Sequence, residues 1–354
     1  MSMKKVVILA AAALTLVACA KTYELQETAQ PKIGFDTWAN NLTKARTQGT
    51  STFVAGDDFA VYGYKEKSSS KVTVFDDVVV STTDGSVWSY DTPRFWDSNY
   101  DKYTFYAISP AAAVTNGTVN AQTGVISTAA ITFAGNDNDI LVADKKEVLK
   151  GDAAPYFNNY ATVPLVFNHV ASLVDIKVKK TPALENATVT VTALQLNDIK
   201  NAGGLSVSED YTDYHPIPTW TPTASTTAYG YSTLNTEIAK DANFNPTTHN
   251  EPSASTDIVS NLVVMPQALD AGQKISITYT IAITNGDTIE FTGKELLLAD
   301  FDNTNDSKQE GTKIGSWEYG KHYTYYITID AHAINFSATI TDWTAVSGNN
   351  YLVY

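Results

Sequence analysis

Ile281-Ala282-Ile283-Thr284-Asn285-Gly286-Asp287-Thr288-Ile289-Glu290-Phe291 sets two runs rich in β-branched residues on either side of an Asn-Gly pair. Asn and Gly tolerate the left-handed backbone of a tight turn, so this is the strongest short-range signal of a β-hairpin. Working outward, period-2 alternation recurs from about residue 59 to the end of the chain. It marks strands over 59–64, 103–108, 163–167, 172–178 and 188–196. In the second half it marks 258–265, 274–283, 288–292, 322–329 and 334–343. Asn116-Gly117, Asp84-Gly85 and Gly203-Gly204 read as further turns. Helical periodicity is absent after the first residues, apart from a weak trace over Asn235 to Lys240. Tyr211 to Pro252 holds five prolines with many Thr, Ser and Asn, and reads as a long surface loop or subdomain. The pattern predicts an all-β protein built of β-sandwiches, with a boundary near residues 165–172.

The first residues have a different character. Lys4 and Lys5 precede an apolar run from Val6 to Val17, broken only by Thr15 and closed by Leu16-Val17-Ala18-Cys19. The run is too short to span a bilayer and reads as a signal peptide over residues 1–19. Cys19 is the chain's only cysteine, and its position after Leu-x-Ala is that of a bacterial lipobox. It is the expected lipidation site of an exported lipoprotein. With one cysteine, no internal disulfide can form and no cysteine nucleophile remains.

Composition narrows the function. A net charge of −14 argues against nucleic acid as a partner. No Gly-x-Ser-x-Gly, His-Glu-x-x-His, phosphate loop or dinucleotide fingerprint occurs, and the five histidines never stand three or four residues apart. The expectation is therefore no enzyme, no cofactor and no metal. Two acidic loops, Asp300 to Asp306 and Gly135 to Asp139, resemble calcium loops but are incomplete: Asn305 and Gly311 stand where Gly and Glu are needed. The aromatic group Trp88, Tyr90, Phe95, Trp96, Tyr100, Tyr103 and Tyr106 reads as core or as a sugar-stacking platform, the alternation favouring core. His169, beside Val166 and Phe167, reads as a hydrogen-bonded structural residue.

Residues 20–50 precede the first clear core strand. Ile33, Phe35 and Trp38 space a short strand, and the polar stretch after it carries Arg46, one of only two arginines beside Arg94.

Several stretches together resemble one family. Val87-Trp88-Ser89-Tyr90-Asp91-Thr92-Pro93-Arg94-Phe95-Trp96 is followed by Tyr103-Thr104-Phe105-Tyr106-Ala107-Ile108-Ser109-Pro110. Pro164 to Val174 and Ile340-Thr341-Asp342-Trp343-Thr344 complete the match. In this order, after a lipobox leader, they are similar to the fimbrillins of Bacteroides-type bacteria, subunits of protease-assembled pili. The resemblance implies two tandem transthyretin-like β-sandwich domains with Greek-key connections, over 47–168 and 169–354, after a pro-segment over 20–46. It implies that a maturation protease with Arg or Lys specificity cuts between Arg46 and Thr47 and releases the strand of Ile33, Phe35 and Trp38. The groove so opened would take a donor strand from another pilin subunit, here Tyr351-Leu352-Val353-Tyr354. The precursor would sit at the outer membrane on its lipid anchor, and the mature protein in an extracellular fimbria, with a host or bacterial surface molecule as a further ligand. The competing reading is a surface lipoprotein that binds glycans through its aromatic faces.

Overall fold

The computed structural model describes residues 31–37, 53–114, 117–134, 139–151, 162–184, 186–223, 226–239, 255–301, 313–330 and 334–343. Among these, regular structure is strand apart from three single 3-10 turns, at Ala111–Val114, Pro182–Leu184 and Leu298–Asp300. No helix among them is long and apolar enough to cross a membrane.

Asp58–Lys67 is the middle of the first large sheet. It pairs antiparallel with Ser70–Thr82 on one side and Lys102–Ser109 on the other. Leu141–Ala143 and Phe167–His169 extend the sheet past Lys102–Ser109. Alternation sends Phe59 and Val61 into one core and Ala60, Tyr62 and Tyr64 into another, all of them buried. Lys102–Ser109 divides the same way, with Tyr103, Phe105 and Ala107 on one face and Tyr106 and Ile108 on the other. Such strands lack the polar outer face of a half-exposed antiparallel sheet because layers cover both sides.

The covering layers differ. One is slight: Gly34–Asp36 paired in parallel with Thr162–Pro164. The other is a four-stranded sheet in the order Pro218–Pro222, Ala202–Val207, Ile126–Thr132, Gly117–Val119. It lays Ile126, Leu205 and Val207 against Tyr62, Tyr64 and Tyr106. Strands from the two halves of the chain therefore share one sheet, across the 168/169 division that the sequence suggests.

The second half closes its own core between two sheets. Thr256–Val264, Ser172–Lys180, Lys321–Ile329 and Ile334–Asp342 form one. Thr226–Tyr231, Ala187–Lys200, Lys274–Ile283 and Thr288–Leu297 form the other, with Thr236–Glu237 also paired to Ala187–Lys200. Val174, Ile176, Val189, Leu196, Ile277 and Tyr325 fill the space between. The Asn-Gly hairpin closes with Asn285 at φ 60° and Ile281 opposite Ile289.

Three sequence expectations change here. Pro218–Pro222, Thr226–Tyr231 and Thr236–Glu237 are strands, so Tyr211 to Pro252 is not simply a loop. Its prolines misled because Pro218 and Pro222 stand at the two ends of a sheet-edge strand, where a missing N–H costs nothing. The helical trace at Asn235 to Lys240 holds the Thr236–Glu237 strand, and Ile238 is buried in the core. Gly203-Gly204 is no turn but lies within Ala202–Val207. A Cβ on Gly203 would stand 2.6 Å from Met265 Sδ and 2.8 Å from the Thr221 carbonyl oxygen, so glycine here answers a close approach. Gly203→Ala should lower the unfolding free energy by about 1–3 kcal/mol, read from urea denaturation.

Asp175 ties three strands of the second half together. Its carboxylate accepts the Asn261 N–H at 2.6 Å and meets His322 Nε2 at 2.8 Å. Burial raises its pKa, but His322, the Asn261 N–H and Lys177 outweigh burial and hold it below the usual carboxylate range. A carboxyl whose folded pKa is depressed stabilises the fold above its unfolded pKa of about 4, and that stability is lost as pH falls through the folded value. Asp175→Asn should flatten the fall in stability at pH below about 4, as measured by denaturation across pH.

Candidate functional site

Ile33, just before Gly34–Asp36, and Phe35 within it are buried, at 0% and 4% exposed. Phe35 meets four rings edge-on or tilted: Phe59 at 6.4 Å, Phe75 at 5.1 Å, Tyr90 at 5.9 Å and Phe105 at 5.7 Å. Burying each of these two side chains is worth about 1.5–3 kcal/mol.

The backbone of this segment is held from both sides. On one, the Ile33 N–H donates to the Arg94 carbonyl at 2.8 Å and the Trp96 N–H to the Pro31 carbonyl at 3.1 Å. On the other, Phe35 stands opposite Val163, and the Leu165 N–H donates to the Asp36 carbonyl at 2.9 Å. Two side chains add to these. The Tyr90 hydroxyl donates to the Ile33 carbonyl at 2.5 Å, and Trp88 Nε1 donates to Thr37 Oγ1 at 3.0 Å. Burial raises the Tyr90 pKa, keeping the hydroxyl neutral and able to donate. The segment thus pairs as a strand with Thr162–Pro164 on one side and through the single Lys32–Phe95 bridge on the other.

Phe53 packs against Trp88 at 5.1 Å and Phe167 at 5.5 Å. Residues 38–52, including Trp38, Arg46 and Thr47, lie outside the described residues. Cys19 and Tyr351 to Tyr354 lie outside them as well. The rival arginine, Arg94, is engaged: its Nε donates to the Val74 carbonyl at 3.1 Å and its Nη1 to the Thr92 carbonyl at 2.7 Å.

The aromatic run is core. Trp96 and Tyr103 are fully buried, Tyr90 and Tyr106 nearly so, and of this group only Phe95 is largely exposed. It offers no open platform for sugars. His169 is also buried, with Nδ1 at 3.1 Å and 3.2 Å from the Asp139 carboxylate oxygens and its ring stacked on Trp343 at 3.7 Å. Sequence reasoning placed His169 beside apolar residues but had no signal for either partner. Among the described residues no three His, Cys, Asp or Glu side chains gather to hold a metal ion. Asp302 to Asp306 and Gly135 to Asn138, most of the two calcium-like loops, lie outside the described residues.

A family model described as fimbrillin-like matches residues 43–343. A fimbrial protein from Bacteroides vulgatus has a similar structure, at TM-score 0.54 and 20% identity, over 81% of this chain and 93% of that one. A candidate cell adhesion protein from Bacteroides uniformis aligns at TM-score 0.46 and 16% identity, over 89% and 98%. Another, from Parabacteroides distasonis, aligns at TM-score 0.49 and 12% identity, over 90% and 98%. No curated protein matches the chain.

The Phe35 contacts set a measurable expectation. Phe35→Ala should destabilise the protein by about 3–5 kcal/mol in chemical denaturation, the usual cost of emptying a buried aromatic site. Val87→Ala, at a side chain 66% exposed, should change stability by less than about 0.5 kcal/mol.

Proposed function

The chain belongs to the fimbrillin-like family, and from that premise we propose that it is a structural subunit or adhesin of a cell-surface pilus, assembled by strand exchange. The observation that supports the exchange step is that Gly34–Asp36, one of two strands in its sheet, is held on one side by Thr162–Pro164 and on the other by the Lys32–Phe95 bridge, with Ile33 and Phe35 buried. Removing that strand uncovers Phe59, Phe75 and Phe105 and takes one hydrogen-bond partner each from the Arg94 carbonyl, the Trp96 and Leu165 N–H groups, the Tyr90 hydroxyl and the Trp88 indole. Each buried polar group left unpaired costs about 1–3 kcal/mol. A strand from another pilin subunit restores both the backbone pairing and the apolar filling, which is β-strand addition.

Maturation supplies the vacancy. The precursor is exported as a lipoprotein, is anchored by Cys19 at the outer membrane, and is cut between Arg46 and Thr47 by a protease specific for Arg or Lys. Arg46 lies in the stretch that joins the strand to Phe53, so a cut there severs the strand from the rest of the fold. The occupied guanidinium of Arg94 supports Arg46 as the processed residue. Tyr351 to Tyr354 furnish the donor strand, Tyr351 and Tyr354 flanking Leu352 and Val353. The halves of the chain, 47–168 and 169–354, act as two domains joined through the shared four-stranded sheet.

The test treats the precursor (residues 20–354) with an arginine-specific protease and follows mass and oligomeric state. A single cut after Arg46 followed by SDS-resistant ladders is expected. Arg46→Ala should abolish both cut and ladders, and deletion of residues 351–354 should abolish the ladders alone. Ladder formation by the Arg46→Ala chain would overturn the processing assignment.

A further inference from the structure

A second feature of the fold has no part in strand exchange. Where the two halves meet, a groove of about 660 Å³ opens between Phe167–His169, the Pro218–Trp220 stretch, the paired Gln267–Ala268 and Ser316–Trp317 strands, and Asp342–Trp343. Its volume falls in the range of about 300–1,000 Å³ usual for small-molecule sites. Three of the chain's six tryptophans line it, Trp220, Trp317 and Trp343, together with Tyr319. We propose that this groove binds a neutral saccharide.

The aromatic residues are held in place from behind. Asp139 fixes His169, whose ring stacks on Trp343 at an interplanar angle of 13°. Trp220 Nε1 donates to the Val170 carbonyl at 2.6 Å, and Trp317 Nε1 donates to the Tyr325 hydroxyl at 2.7 Å. Trp317 is itself buried, so the ring surface open to a ligand is that of the half-buried Trp220 and Trp343. Tyr319, 42% exposed, adds a ring at the rim.

The rim decides the class of ligand. Glu318, Lys321 and Asp342 line it, and Lys321 is already paired with Asp342. An excess of carboxylate disfavours phosphates and acidic sugars, and charged groups at the mouth disfavour a lipid chain. An extended peptide would seek backbone partners, but Pro218 and Pro266 in the walls have no N–H. The backbones of Gln267–Ala268 and Ser316–Trp317 already pair with each other. A pyranose suits the site: its C–H face packs flat on an aromatic ring, and its hydroxyls donate to carboxylates such as Glu318.

The site is separate from the Ile33–Thr37 layer, so it can be tested on the uncut precursor, and its failure would leave strand exchange untouched. Intrinsic tryptophan fluorescence of the full precursor is titrated with a panel of neutral mono- to tetrasaccharides, their sialylated counterparts, and a short Pro-free apolar peptide. A saturable change with at least one neutral saccharide is expected, without response to the sialylated forms or the peptide. Tyr319→Ala should weaken that binding about tenfold, the loss of one aromatic contact. Because Tyr319 is exposed and outside every core cluster, this variant keeps the fold. Trp220→Phe, which keeps a ring in place, should weaken binding less. No response to any saccharide, a response unmoved by Tyr319→Ala, or binding of the peptide instead would overturn the proposal.

Discussion

Burial of both faces of the Asp58–Lys67 strand is the constraint on which the architecture rests. Phe59 and Val61 on one face and Tyr62 and Tyr64 on the other both demand cover, so the sheet must lie between two layers. The chain meets the two demands unequally. The face carrying the tyrosines receives a four-stranded sheet, two of whose strands come from the second half. The face carrying the phenylalanines receives short segments, with Ile33–Thr37 in their midst. The first cover cannot leave without splitting a sheet; the second is two short paired strands, Gly34–Asp36 and Thr162–Pro164, bridged to Phe95.

Under the proposed strand exchange, that inequality makes cutting, and not heat or dilution, the expected trigger. While residues 38–52 are intact, the strand belongs to the same molecule as its groove, so its return is intramolecular and a strand from another molecule would have to compete with it. With the proposed cut made, the resident strand would have only its own contacts, and its departure would no longer be reversed by the chain itself. A vacancy lined by phenylalanines and unpaired backbone groups then favours whichever strand offers more pairing length.

The seam between the halves obeys a different logic. Trp220 Nε1 reaches back to Val170, Tyr229 donates to the Phe133 carbonyl, and Trp343 stacks on His169. Phe133, Ala171, Leu173, Val263 and Met265 form a small core beneath these contacts. Side chains from strands far apart in sequence interdigitate here, which resists sliding of one half on the other.

What could be read in the sequence follows from the range of the interactions involved. The hairpin at Asn285 was legible because its cause is local: a residue at φ 60° between two alternating runs. Ile33 and Phe35 were legible as a strand from their spacing, yet nothing local told that Arg94 and Leu165 would hold them. Alternation in 59–64 was plain, but period 2 does not say whether the outward residues face water or a second core; only the bulk of Tyr62 and Tyr64 hinted at it. Gly203 was misread because a glycine that admits Met265 looks, in sequence, like one that makes a turn. Trp220, Trp317 and Trp343 stand on three separate strands or edges. Their convergence is a property of strand order, and strand order is set by pairings whose partners no single stretch of sequence names.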